Sequence, residues 1–216
     1  MKEIILLFVI VIGPLLFSGC LQEPIKLDGV EISEYQGEKL SSVQDFRENS
    51  IKGPQEINQD EYFLKITGLV EKTISYSYDE ILSGFQSYKK VVRLDCVEGW
   101  SVNILWKGIL VEDILKEVNP TDDAEIVIFH AEDGYTTSLP IDYIIEKKIL
   151  IAYKMNNVTL PVERGFPFQL VAESKWGYKW IKWITEIELS SDESYEGYWE
   201  ERGYSNTADI NESFFD

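Results

Sequence analysis

The sequence predicts an α+β protein built as a single mixed, β-rich domain with two or three short helices. Three observations carry that reading. The 216 residues and 44% hydrophobic content suit one globular unit plus some extra, not two full domains. Short runs rich in β-branched and aromatic residues recur at 62–70, 88–94, 126–130, 135–139, 149–153, 168–172 and 183–189, and each reads as a strand. Helical signals are fewer. Ser77-Tyr78-Asp79-Glu80 before Ile81-Leu82 is a capping box opening a short helix, and 108–118 places apolar residues at helical spacing.

Charge is concentrated at the ends of the chain. Twenty basic against 38 acidic residues leave a net charge of −18, a surface that repels nucleic-acid backbones, so no nucleic-acid partner is expected. Nine acids and four bases over 21–60, with the breakers Gly29, Gly37, Gly53 and Pro54, suggest a solvated tether. The acidic tail begins near 190 and holds only Arg202 as a base. Two cysteines and one histidine, His130, are too few for a protein-built zinc site or a disulfide scaffold. Any metal would therefore arrive with most of its own ligands.

The beginning of the chain reads as an address. Lys2 precedes an apolar run over 4–17 that is short for a membrane span of about 20 residues. It closes in Phe17-Ser18-Gly19-Cys20, which resembles a lipoprotein cleavage site. The expected order is a signal peptide over 1–19, a lipid anchor and acidic tether over 20–60, a folded domain over 61–204 and a tail over 205–216. Cys20 would be lipidated and hold the body outside the cytoplasm, at the membrane. An uncleaved N-terminal helical anchor is the other reading of the same residues.

Two segments could carry chemistry. In Arg93-Leu94-Asp95-Cys96-Val97-Glu98-Gly99-Trp100-Ser101 a strand stops at a cysteine and a glycine-containing turn follows. A thiolate placed there could be a nucleophile or a soft ligand for a thiophilic metal, and a small buried hydrophobe is the alternative. The second segment joins Arg164-Gly165-Phe166-Pro167 to Lys175-Trp176-Gly177-Tyr178-Lys179-Trp180-Ile181-Lys182-Trp183. Its three lysines with no acid among them could receive phosphate, with Gly177 permitting close backbone approach. Equally, Trp176, Tyr178 and Trp180 could alternate onto one face of an amphipathic strand.

Taken together the motifs resemble the sulfite oxidase-like molybdopterin family. Cys96-Val97-Glu98-Gly99-Trp100-Ser101 followed by Trp106-Lys107-Gly108 is similar to its metal-binding segment. Pro161-x-x-Arg164-Gly165-Phe166-Pro167 and Trp176-Gly177-Tyr178-Lys179-x-x-Lys182 are similar to its pterin-phosphate segments, and Gly197-Tyr198-Trp199-Glu200-x-x-Gly203-Tyr204 to its ending. The protein-methionine-sulfoxide reductase branch is nearer than sulfite oxidase itself, whose cysteine is followed by Gly-Asn-Arg. Departures occur at Arg164, where relatives carry His or Asn, and at Gln169, where Arg is frequent.

The resemblance implies a molybdopterin-binding domain of the sulfite oxidase type without the C-terminal dimerisation domain, and a monomer. Cys96 would be the protein ligand to molybdenum, or to tungsten. Arg164, Lys179 and Lys182 would hold the pterin phosphate, and Trp100, Ser101 and Gly177 would lie against the pterin. Tyr135 would stand at the substrate mouth as a catalytic candidate. The implied reaction is oxygen-atom transfer on a small-molecule or methionine-sulfoxide-type substrate, with electrons exchanged through a separate partner. The leader has no arginine pair of the kind that exports folded enzymes, so cofactor would be acquired outside. The competing reading is a cofactor-free binding lipoprotein of the same fold, with Cys96 as packing.

Overall fold

A computed structural model describes residues 29–215; the expected signal peptide and Cys20 lie outside the described residues. A small hairpin of β1 (Glu34–Tyr35) and β2 (Glu38–Lys39) leads into two larger sheets. One sheet runs in the order β4 (Ile74–Ser77), β3 (Phe63–Gly68), β12 (Ile184–Ser190), β7 (Ile126–Ala131), β8 (Thr136–Pro140). β12 pairs parallel to β3 and antiparallel to β7, so the last strand binds the two halves of the chain together. The other runs β10 (Val158–Thr159), β9 (Leu150–Met155), β6 (Ser101–Leu110), β5 (Ser87–Asp95), with β11 (Gln169–Val171) also paired to β9. Three short helices connect them: α1 (Tyr78–Gly84), α2 (Val111–Val118) and α3 (Ile141–Lys147). Among the described residues no helix is long and apolar enough to cross a membrane.

The mixed, β-rich class stands as the sequence predicts. α1 is opened by the expected capping box, with the Ser77 hydroxyl accepting from the Glu80 amide and the Glu80 carboxylate accepting from the Ser77 amide. The helix expected over 108–118 begins only at Val111, because β6 runs on to Leu110. Gly108 belongs to that strand: a Cβ there would stand 2.1 Å from the Ile151 carbonyl oxygen, where β6 and β9 close on each other at a register shift. Helix α2 then buries Val111, Ile114, Leu115 and Val118, the face that the periodicity marks. Helix α3, starting directly after β8 at Pro140, is not anticipated by the sequence reading.

Two further expectations are corrected. The stretch 175–183 is not a strand; Gly177–Lys179 forms a tight helical turn, with Trp176 on Phe214, Tyr178 on Tyr204 and Trp180 on Trp106. The segment read as a solvated tether is, from residue 29 onward, laid against the domain. Val43 is buried, the Ser41 amide donates to the Asn103 carbonyl at 2.9 Å, and the Ile32 amide donates to the Asn156 carbonyl at 3.1 Å. Glu31 and Ser41 also accept from Asn156 Nδ2.

Candidate active site

Strand β5 ends at Asp95, and the chain reverses through Cys96–Trp100 before entering β6. The reversal is closed by the Cys96 amide donating to the Trp100 carbonyl at 2.9 Å and by the Gly99 amide donating to the Cys96 carbonyl at 3.0 Å. Gly99 takes φ +86°, a conformation that side-chain-bearing residues resist. The turn fixes Cys96 at the edge of a cavity of about 500 Å³.

Across that edge lies the second segment. Asp95 bridges to Trp176, and Gly177 sits so close that a Cβ on it would be 3.4 Å from the Asp95 carbonyl oxygen and 3.5 Å from the Cys96 Cα. Two motifs about eighty residues apart in sequence thus meet at one wall. The β7–β8 hairpin adds Asp133 and Tyr135, and the chain after the turn at 177–179 adds Trp180, Lys182 and Trp183. Aromatic rings of Trp199 and Tyr204 come from the C-terminal segment.

The remaining wall comes from residues that the sequence reading assigned to the tether. Phe46, Arg47, Glu48, Asn49, Ser50 and Ile51 line the cavity. Asn49 Nδ2 lies 3.8 Å from Cys96 Sγ as a donor. Burial pushes the Cys96 thiol above its ordinary pKa, while amides of Glu98, Asn49 and Val97 turned toward the sulfur favour its thiolate. Ser50 Oγ is buried without a hydrogen-bond partner among the described residues, a polar atom facing a site with nothing of the protein's own to satisfy it. The signal available for this segment was Phe46-Arg47, an aromatic and a base inside an acidic stretch, but nothing local says where that pair docks.

Arg164 holds the strap in place. It is 7% exposed, at the end of the turn Val162–Arg164, and donates to three backbone carbonyls: Val43 at 2.9 Å, Arg47 at 3.3 Å and Phe46 at 2.6 Å. Its guanidinium lies 3.8 Å from the centre of the Phe46 ring. Among the described residues no carboxylate makes a salt bridge with it; burial lowers its pKa, and the nearby Glu163 and Glu48 charges partly offset that effect. Lys182 Nζ pairs with Glu48 Oε1 at 2.6 Å, its pKa also lowered by burial. Gly165, at φ +92°, lets the Arg164 turn press on Lys182, since a Cβ there would be 2.9 Å from the Lys182 Cβ.

The predicted residues therefore divide. Cys96, Trp100, Tyr135, Arg164, Gly177 and Lys182 all line the cavity. Trp100 packs on Phe46 at 5.7 Å between ring centres and donates Nε1–H to Glu98 at 3.1 Å. The Tyr135 ring reaches the wall, but its hydroxyl donates to the Tyr178 carbonyl at 2.5 Å. Two of the expected residues lie outside the lining. Ser101 opens β6 and is exposed, paired with Asp95 across the strands. Lys179 is completely buried away from the cavity; its ammonium meets Glu200 at 2.5 Å, Asn206 Oδ1 at 2.9 Å and the Ser138 carbonyl at 3.2 Å.

Comparison with known proteins identifies the family. The oxidoreductase molybdopterin binding domain matches residues 51–199. The uncharacterized oxidoreductase YuiH of Bacillus subtilis is 33% identical over 147 residues, 68% of this chain and 73% of YuiH. The protein-methionine-sulfoxide reductase catalytic subunit MsrP of Xanthomonas campestris is 34% identical over 139 residues, 57% of this chain but 43% of MsrP, so the match spans less than half of that relative. In fold the chain is similar to the sulfane dehydrogenase SoxCD of Paracoccus pantotrophus, with a TM-score of 0.65 at 18% identity over 87% of this chain and 57% of the other. The cysteine turn and its cavity lie inside the matched domain, and the chain belongs to the sulfite oxidase-like, molybdopterin-binding oxidoreductases and is an enzyme.

Proposed function

We propose that this enzyme is held by a lipid on Cys20 at the outer face of a membrane and performs two-electron oxygen-atom transfer, reducing sulfoxides of the methionine-sulfoxide type. The observation that carries it is Cys96 at the rim of a cavity that also gathers Arg47, Arg164 and Lys182, and whose buried Ser50 hydroxyl lacks a partner among the described residues. Those features fit a metal-bearing pterin phosphate: one thiol for the metal, glycine backbone at Gly177 for close approach, and Arg164, Arg47 and Lys182 for an anionic end. The name of the MsrP relative supports a sulfoxide substrate. Molybdenum is the expected metal and tungsten the alternative.

The bound cofactor supplies the redox chemistry, by which a sulfoxide, two electrons and two protons become a thioether and water. The protein supplies position and exclusion. Cys96 anchors, with amides around its sulfur favouring the thiolate form that a metal requires. Phe46, Trp100, Trp199 and Tyr204 line the cavity with apolar rings. Electrons come from a separate partner, a reading supported by the description of the MsrP relative as a catalytic subunit.

The test is production in a host that makes the molybdenum cofactor, followed by metal analysis, pterin fluorescence, and turnover with a reduced viologen dye. Expected are about one metal per chain, metal loss in Cys96→Ser, and dye oxidation by methionine sulfoxide in preference to oxyanions. Absence of metal and pterin from such protein overturns the enzyme site assignment; loaded protein inert to sulfoxides overturns the substrate. Cys20→Ser is expected to move the protein from the membrane to the soluble fraction, and unchanged fractionation removes the lipid anchor.

A further inference from the structure

On the face of the β4-β3-β12-β7-β8 sheet opposite its buried side, three groups that no step above uses stand together. Glu186 and Glu188 are two residues apart on β12 and so point the same way. His130, the chain's single histidine, is directly opposite Glu186 on β7. One ligand atom from each of the three lies within 4.8 Å of the other two. His130 Nε2 is already 2.8 Å from Glu188 Oε2, and both side chains are about one-third exposed, open to an ion from solution.

The surroundings favour a dication over packing. Two carboxylates on adjacent same-face positions repel each other, and a single imidazole cannot neutralise both. Lys65 is in register with Glu186 on β3 but makes no ion pair with it among the described residues. Tyr195, from the C-terminal segment, faces Glu188 and is itself tied to Thr136 at 2.9 Å. Glu186 is oriented by Thr67, whose hydroxyl donates to its Oε1 at 2.6 Å, which leaves the second oxygen available. That is the outer-shell support typical of metal-binding carboxylates.

We infer that His130, Glu186 and Glu188 form a second, structural metal site for a zinc-class divalent cation. An imidazole nitrogen with two carboxylates matches that class, and bonds of about 2.0–2.2 Å require side-chain movements of only about 1 Å. Water completes the coordination. The site pins β7 to β12, and these strands feed the cavity: Asp133 and Tyr135 follow β7, and Lys182 and Trp183 precede β12. The ion is thus a staple behind the active-site wall, separate from Cys96.

One histidine makes the experiment unambiguous. Full-length Cys20→Ser/Cys96→Ser protein, which removes both competing thiols, is titrated with zinc chloride while the imidazole nitrogens are followed by NMR and the heat by calorimetry. The expected result is saturation at one equivalent with the Nε2 signal moving, a higher melting temperature, and affinity at least tenfold weaker in Glu186→Gln/Glu188→Gln. Thr67→Val is expected to weaken it by about tenfold through the lost orientation. An unmoved ring signal, or the same titration curve in the double variant, overturns the site. Should the double variant fail to fold, His130→Gln replaces it, and zinc binding unchanged in that variant is equally fatal.

Discussion

At the scale of single residues, Lys175, Lys179 and Lys182 differ most from what their spacing suggests. Adjacent in sequence and with no acid among them, they look like one phosphate cradle. Folding gives each its own surroundings: Lys175 sits over the Tyr143 ring, Lys179 pairs with Glu200, and Lys182 pairs with Glu48. The Lys179–Glu200 pair is wholly buried, with Glu200 also accepting from Thr137. Removing one partner leaves a charge stranded in low dielectric, so Lys179→Ala is expected to cost about 3–5 kcal/mol. Lys182→Ala, at a more open site, is expected to cost about 1 kcal/mol or less and instead to weaken cofactor retention. Urea unfolding of apoprotein and metal content after gel filtration separate the two. Equal stability losses would dissolve the distinction. The acidic partners come from Glu48 and Glu200, neither of them in the lysine segment, which is why no local pattern could assign these roles. Cys96, by contrast, was legible because its signal is local: a strand, a thiol and a turn glycine within a few residues.

At the scale of elements, the doubly buried strands β7 and β9 were legible as short apolar runs, whereas β6 was not. Strand β6 is buried at seven of its ten positions, so it carries no clean alternation, and its last residues merge into the helical spacing of α2. The glycine at the junction settles the boundary by contact, not by propensity. Gly108→Ala forces a methyl group onto the Ile151 carbonyl and is expected to destabilise by about 3 kcal/mol, more than a helix-start position would tolerate losing. A thermal melt unaffected by that change would contradict the close approach of β6 and β9. Helix α2 is also joined to the end of α3, where Lys148 donates to both Glu112 carboxylate oxygens at 3.0 and 2.9 Å. Lys148 thereby holds the Glu112 pKa below its ordinary value. The contribution is accordingly complete above the unfolded pKa of about 4.3 and is lost as pH falls through the lower folded value. Glu112→Gln is therefore expected to lower stability by about 1 kcal/mol at pH 7 and by progressively less as the pH is taken below the unfolded value, measured by urea unfolding across that range.

At the scale of the whole molecule, the acidic N-terminal stretch changes from spacer to wall. Its composition is that of a solvated chain, and composition alone carries no information about a docking partner more than a hundred residues away. Its inner end, residues 43–47, is held chiefly by one arginine. Arg164 gives three hydrogen bonds to the carbonyls of Val43, Phe46 and Arg47 and covers the Phe46 ring, while Glu48 reaches Lys182. Those contacts bring Asn49 to the Cys96 sulfur and Ser50 to the cavity. The cavity proposed for the cofactor is therefore complete only when residues 43–51 are seated, and on that proposal this segment and the cofactor should stabilise each other by linkage. Arg164→Ala deletes the donors but leaves the sheets intact, so the expected result is a folded domain with a loosened strap. Amide hydrogen exchange over 43–51 should quicken at least tenfold, and limited proteolysis should cut there first. Metal retention should fall, whereas the β7–β12 core keeps its protection. If exchange in 43–51 stays as slow as in the parent chain, Arg164 is not what seats the strap, and the cavity's fourth wall must be held by Glu48 and Lys182 instead.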